Sequence, residues 1–490
     1  MLSEKTEGTT FAFPSLIPTV VVSGHVSRPG LMAATLVGAD VFATGLAVIL
    51  GFQFWSFMNP AIPPLQPVMA LAPLFCVAMF AFENLYPGLG MGAVEHIRRV
   101  SRGVTLVYLM LTAAMFIAKD RWADSRGGFM LAWLLSLALA PLARWFCGYA
   151  FGRKRWWGTP VVVLGAGETA RRVIRNLEAN RVLGYRAIVC LDDDPAKHGY
   201  CEDVPVAGCL RDASALAEAH GIRYAIVAMP GISRAKLTGH LRVWSSVFPH
   251  ILIIPDLFGV ASLWTEPRDL GGILGLQIRH NLLKPANRWI KRAVDLFLAA
   301  VILALISPFI LIAALWIRLT SPGRVLFVQE REGENGKPIR IFKLRTMYID
   351  AEETLARHLD ADPAAKAEWD RFCKLKNDPR ILPGIGQFLR KTSMDEIPQL
   401  WNILKGEMSL VGPRPFPVYH NERFDSEFRS LRIKVRPGLT GMWQVSARSD
   451  GDLDVQVSLD SYYINNWSLW LDVYILMRTA RVVLTGEGAY

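Results

Sequence analysis

Leu296-Phe297-Leu298-Ala299-Ala300-Val301-Ile302-Leu303-Ala304-Leu305-Ile306-Ser307-Pro308-Phe309-Ile310-Leu311-Ile312-Ala313-Ala314-Leu315-Trp316-Ile317 carries no charge and reaches the roughly 20 residues a membrane-crossing helix needs. Its flanks decide how it is read. Lys284, Arg288, Lys291 and Arg292 precede it, and Arg318 and Arg324 follow. Basic residues at both ends favour the cytoplasmic face for both ends. Pro308 removes a helix hydrogen bond and bends the chain, and the Ser307 hydroxyl can cover a carbonyl so freed. These facts predict a broken, re-entrant helix over 293–318 that enters and leaves the bilayer by one face. The competing reading is an ordinary fifth span with a kink.

Upstream lie four further apolar runs, at about 31–55, 67–85, 103–118 and 129–151. The third is marginal for a span. Arg98, Arg99 and Arg102 sit between the second and third, and Arg144, Arg153, Lys154 and Arg155 close the fourth. By the positive-inside rule both ends of this four-helix transmembrane bundle (31–152) face the cytoplasm, behind a tail over 1–30. Asp40 and Glu83 read as packing or helix-end residues rather than as a transport path. No cleavable leader is expected, because the first 29 residues are largely polar and Pro-interrupted.

Composition agrees with a membrane protein. The chain has 490 residues, enough for two or three domains, with 52% hydrophobic residues, mean hydropathy +0.26 and net charge +11. The basic residues lie beside apolar runs rather than in a stripe with aromatics, so a membrane surface explains them and nucleic acid does not. The six cysteines show no C-x-x-C spacing, which implies neither zinc nor a disulfide framework.

Between bundle and central helix, 156–280 alternates strand and helix. Thr159–Leu164 precedes Gly165-Ala166-Gly167-Glu168-Thr169-Ala170, and a strand over 187–191 ends at Asp192. This is the order of a Rossmann-like βαβ unit, in which Gly165 and Gly167 admit a pyrophosphate and Asp192 meets a ribose hydroxyl. A scaffold that keeps the fold without that ligand fits equally. No Tyr-x-x-x-Lys pair supports hydride transfer.

The chemistry gathers downstream, in 284–490. In Arg390-Lys391-Thr392-Ser393-Met394-Asp395-Glu396-Ile397-Pro398-Gln399, Asp395 at a helix N-cap would put Pro398 where its missing N–H costs nothing. The helix dipole favours a carboxylate there, and a bound phosphate beside it. Asp395 is then a nucleophile for phosphorus and Glu396 a ligand for Mg²⁺ bridging substrate phosphates. Arg390 and Arg414 supply positive charge, and Lys343 and Arg345 share one face of a strand. The same acids also fit a Ser393/Glu396 capping box with no chemistry at all. Trp443, Tyr462, Tyr463, Trp467 and Trp470 suit either the bilayer interface or a core.

Together, Ser307-Pro308, Phe342-Lys343-x-Arg345, Arg390…Asp395-Glu396-x-Pro398-Gln399, Val411-Gly412-Pro413-Arg414-Pro415 and Arg436-Pro437-Gly438-x-Thr440-Gly441 resemble the monotopic polyprenyl-phosphate phosphoglycosyl transferases, a bacterial sugar transferase family. The bundle and Rossmann-like domain resemble its long form. Within it the chain is similar to undecaprenyl-phosphate galactose phosphotransferases, helped by the tail from Val482 to Tyr490. The resemblance implies that Asp395 takes a sugar 1-phosphate from a UDP-sugar, releases UMP and passes the phosphosugar to undecaprenyl phosphate, with Mg²⁺ on Glu396. Arg390 and Arg414 would bind phosphates, and Arg448 lies in a matching region where Ala447 replaces an expected Gly. The catalytic domain would then sit on the cytoplasmic face of the bacterial inner membrane and initiate surface polysaccharide synthesis. A homodimer through the middle domain and bundle is expected. Two alternatives stand beside this: a membrane-bound NAD-dependent nucleotide-sugar dehydratase, which lacks its second fingerprint here, and a non-catalytic scaffold.

Overall fold

A computed structural model describes residues 27–60, 67–117, 126–255, 265–269, 271, 274–278, 281–372, 375, 378–416, 424–446 and 453–485. The chain forms two compact units, Met1–Leu257 and Phe258–Tyr490.

In the first unit α1 (Pro29–Met58) is followed by a 3₁₀ turn (Pro67–Leu71) running into α2 (Ala72–Phe82), then α3 (Ala93–Ile117) and α4 (Arg126–Phe151). α1, α3 and α4 are long and apolar enough to cross a membrane; α2 is shorter. The third run, marginal by hydropathy, gains length from a polar first stretch. There Glu95 accepts from Arg98 and Arg99 at 2.7 and 2.6 Å, one turn apart, a spacing that supports a helix. Asp40, fully buried, accepts from Arg144 Nη2 and Tyr86 OH, both at 2.6 Å. Glu83 caps the end of α2 and accepts from Arg102. Both acids are therefore packing groups, as their sequence context indicates.

The α/β part of this unit holds β1 (Thr159–Leu164), α5 (Glu168–Ala179), β2 (Tyr185–Leu191), β3 (Gly199–Cys201), β4 (Val204–Val206), α6 (Ala213–His220), β5 (Tyr224–Val227), α7 (Arg234–Trp244) and β6 (His250–Ile253). The sheet order is β3-β4-β2-β1-β5-β6, with every pairing parallel except β3–β4. Side-chain alternation divides β1 between two faces. Val162 and Leu164 pack with Leu216 and Trp244 of α6 and α7, while Val163 packs with Ala170 and Ile174 of α5. Helices thus cover both faces.

The second unit begins at the hairpin β7 (Thr265–Asp269) and β8 (Leu274–Ile278), which the sequence boundary at 280 had placed with the α/β domain. Then comes α8, continuous from Pro285 to Thr320 with Pro308 inside it. The expected break over 293–318 is not an interruption of the helix. Pro308 deprives the Ala304 carbonyl of its partner, and the Ser307 hydroxyl donates to that carbonyl at 2.9 Å. Helical pairing therefore carries through the proline. Ala299 and Ala313 are fully buried, yet no residue from 300 to 312 is.

Both halves of α8 are bound into this unit. Asp295 accepts from Ser409 Oγ at 2.7 Å and the Leu410 N–H at 3.2 Å, and Lys291 donates to Asp472 at 2.7 Å. From the other half, Ala313 and Ile317 share a core with Leu344, Leu382, Ile385 and Leu389. The remaining elements are the antiparallel pair β9 (Leu326–Glu332) and β10 (Pro338–Leu344), α9 (Ala351–Ala361), α10 (Pro363–Phe372), α11 (Ile385–Lys391), α12 (Leu400–Lys405), β11 (Ser409–Val411), α13 (Ser426–Arg432), β12 (Gly438–Thr440), α14 (Met442–Ser446), α15 (Leu453–Asn466) and α16 (Leu469–Thr485). β12 is only three residues long, and α14 follows it.

Candidate active site

Between α11 and α12 the chain turns through a 3₁₀ helix, Met394–Gln399, that begins at Ser393 with φ +56°. Asp395 is therefore inside the first turn rather than at an N-cap. Pro398 has no N–H to give the Met394 carbonyl, so an α turn cannot close there and the tighter form results. Ser393 makes no side-chain cap, which removes the capping-box reading. The apolar face of α12 is Leu400 and Ile403, both buried, while Trp401 is exposed.

Glu396 Oε1 accepts from Lys343 Nζ at 2.7 Å and Arg414 Nη2 at 2.8 Å. Burial alone would raise this carboxyl, but Arg414 and Lys343 outweigh it and hold it down at about 2. Asp395, next in the chain, goes the other way. Burial, and then the neighbouring Glu396 charge, push it up to about 6, against the pull of Lys343 and Arg390. Adjacent carboxyls driven apart in this way are a mark of acid, base or nucleophile chemistry. The Arg390 Nη1 is buried without a hydrogen-bond partner among the described residues. A buried unpaired guanidinium nitrogen is costly unless an anion meets it.

Two glycine motifs carry Arg414 to this place. β11 and β12 pair in parallel, Ser409 opposite Gly438 and Val411 opposite Thr440. Gly412 N–H donates to Thr440 O and Gly438 N–H to Pro413 O, both at 2.9 Å. The backbones touch: a Cβ on Gly438 would lie 2.1 Å from Gly412 N. That contact explains why V-G-P-R-P and R-P-G-x-T-G occur as a matched pair.

Lys343 and Arg345 do not converge as expected. Arg345 follows the end of β10 and donates to the carbonyls of Ser321 and Pro322 at 2.7 and 2.9 Å, tying down the end of α8. Arg448 lies outside the described residues. In the α/β domain Gly165 has φ +104°, and a Cβ there would meet Met229 at 2.5 Å. Asp192 folds back on that loop: its Oδ2 accepts from the Ala166 N–H at 2.8 Å and its Oδ1 from Asp194 N–H at 2.9 Å. The amide of Ala166 is thereby taken by the acid expected to meet a ribose, while Gly167 begins α5.

Sequence reasoning passed over two positioning residues, Asn402 and Arg432. Asn402, fully buried, donates to Arg340 O at 2.7 Å and accepts from Phe342 N–H at 3.3 Å, fixing the strand that carries Lys343. Arg432 donates to the Arg414 carbonyl, with buried Asp460 3.8 Å from its Nε. Tyr463 and Trp467, which would also suit a bilayer interface, are core groups that donate to Asp472 at 2.9 and 3.1 Å. The partners of Asn402 and Arg432 are distant in sequence, so no local pattern announces them.

Residues 286–486 match the bacterial sugar transferase family, and 87–255 match a CoA-binding domain family. The chain is 34% identical over 392 residues to undecaprenyl-phosphate galactose phosphotransferase of Salmonella typhimurium, covering 79% of this chain and 81% of that one. It belongs to the bacterial sugar transferase family. The UDP-glucose:undecaprenyl-phosphate glucose-1-phosphate transferase of Escherichia coli is 31% identical, over 78% of this chain and 80% of its own. An exopolysaccharide production protein of Rhizobium meliloti is 39% identical across 42% of this chain and 91% of its own length. The chain is thus a membrane enzyme of the sugar-phosphate transferase class. Membership in this family sets aside the dehydratase and scaffold alternatives.

Proposed function

We propose that the chain transfers a hexose 1-phosphate, galactose 1-phosphate first, from a UDP-sugar to undecaprenyl phosphate, beginning assembly of a surface polysaccharide. Asp395 Oδ attacks the β-phosphorus, and the bond to the bridging oxygen breaks so that UMP leaves. A phosphate oxygen of undecaprenyl phosphate then attacks the same phosphorus and frees the Asp395 carboxylate. The observation that carries this reading is the split carboxyl pair: Asp395 pushed up to about 6, Glu396 held at about 2, amid Lys343, Arg390 and Arg414.

At neutral pH Asp395 is mostly the anion, desolvated and ready to attack. Glu396 orients Lys343 and Arg414, whose remaining donors would take diphosphate oxygens, and Arg390 Nη1 would take another. Glu396 would hold a Mg²⁺, whose charge would offset that of the diphosphate.

The apolar stretch 300–312, in which no residue is fully buried, is flanked by two ends bound into one unit and supports a dip into the membrane and return by the same face. On this reading catalysis is at the cytoplasmic face of the inner membrane. The long form would work as a homodimer. UMP release across a panel of UDP-sugars with undecaprenyl phosphate tests the reaction, and mass spectrometry during turnover should find a phosphohexose on Asp395. Release without that adduct would reject the covalent route. Cysteines placed at Trp289 and Gly323 should both be labelled from the cytoplasmic side; labelling from opposite sides would reject re-entry.

A further inference from the structure

Beside the first turns of α8 the catalytic unit holds a cavity of about 310 Å³. Asp395, Glu396, Lys343, Arg390 and Arg414 are not among its walls. Arg288, Lys291, Arg292, Lys434 and Arg436 line it against two carboxylates, Asp295 and Glu334, and Lys291 is paired with Asp472 at 2.7 Å, which leaves an excess of two positive charges.

Neither carboxylate neutralises that excess. Asp295 is engaged by Ser409 and the Leu410 N–H. Glu334 is divided between two guanidiniums, with Arg288 on Oε1 and Arg436 Nε on Oε2 at 3.0 Å. Arg292 spends two nitrogens on the Ile403 and Leu404 carbonyls, at 2.5 and 3.0 Å. Burial, and then repulsion from Arg436, hold its pKa below the usual arginine range. Like charges crowded round a hollow call for an anion. The volume is that of a small-ligand pocket.

The surroundings say which anion. Trp289, on the rim, is 76% exposed and Ile290 beside it 52%, the amphipathic signature of the headgroup level. The apolar stretch 300–312, in which no residue is fully buried, begins three turns further along the same helix. We propose that this cavity binds the phosphate of an acidic glycerophospholipid headgroup from the leaflet that α8 enters. The bound lipid completes the charge balance at the base of the membrane helix. The proposal rests on α8 entering a bilayer and not on the transferase chemistry, so UMP release and lipid binding fail independently.

Native mass spectrometry of the detergent-solubilised full chain, with dioleoyl phosphatidylglycerol or dioleoyl phosphatidylcholine added, is the test. The wild type should retain phosphatidylglycerol roughly tenfold or more over phosphatidylcholine, and Arg288→Gln with Lys434→Gln should remove most of that preference. Arg357→Gln, a charge change on the surface helix α9, should leave it intact. Equal retention of the two lipids, or undiminished preference in the double variant, would overturn the proposal. So would a thermal-stability gain from inorganic phosphate alone as large as that from phosphatidylglycerol, which would assign the cavity to free phosphate.

Discussion

Replacing Asp395 by Asn should abolish turnover and yet stabilise the catalytic unit. In the folded chain this carboxyl is lifted from 3.8 to about 6, about two pH units, which corresponds to about 3 kcal/mol of penalty on the charged form. Because Asp395 is only half-buried, solvent screening reduces the realised gain to about 1–2 kcal/mol. For a unit of this size that is a rise in Tm of about 3–6 °C. The sign follows from linkage. A carboxyl with a raised folded pKa is stabilising below its unfolded pKa near 4, and that stability is lost as pH rises through about 6. Asn imitates the neutral acid at every pH. The gap between variant and wild type should therefore be full at pH 7.5 and close towards pH 4. Intrinsic tryptophan fluorescence during heating, at both pH values in one detergent, measures it. A variant no more stable than wild type at pH 7.5, or one that still releases UMP, would refute the assignment.

Glu396→Gln should act oppositely, leaving Lys343 and Arg414 without their shared partner. We expect a loss of about 2–4 kcal/mol, read as a lower Tm at pH 7, together with lost turnover. For the wild type, kcat/KM should fall as pH drops through about 6, as Asp395 takes up a proton. Arg390→Gln removes a charge that holds Asp395 down, so the acidic limb of that profile should move to higher pH while the maximum rate falls. Gly438→Ala pushes a methyl into the Gly412 backbone; about 3 kcal/mol or more of stability should go, and UMP release with it.

Local signals were readable in the sequence, and non-local ones were not. The bounds of β1 and the glycine turn follow from a short valine run and a position where only φ above zero fits. The matched motifs around Asp395 likewise name the site. What the residues alone could not settle is direction. Arg345 and Arg414 look alike in sequence, but one holds carbonyls at the end of α8 and the other reaches Glu396. Asp192 could serve a ribose or its own loop, and only the fold brings it to Ala166 N–H. Pro308 reads as a break, whereas Ser307 restores the pairing it removes. Aromatic residues on α15 and beyond satisfy interface and core equally, until Asp472 shows which donors it needs.

The way α8 is sewn in has a practical consequence. A common route to a water-soluble fragment is to cut away the greasy segment. Here that excision would remove Asp295, leaving the Ser409 hydroxyl and Leu410 amide bare. It would also take Ala313 and Ile317 out of the hydrophobic cluster that supports Leu344 and Leu389. The anchor is part of the scaffold it anchors. A truncated version should emerge as an unfolded or aggregating chain rather than as a free catalyst.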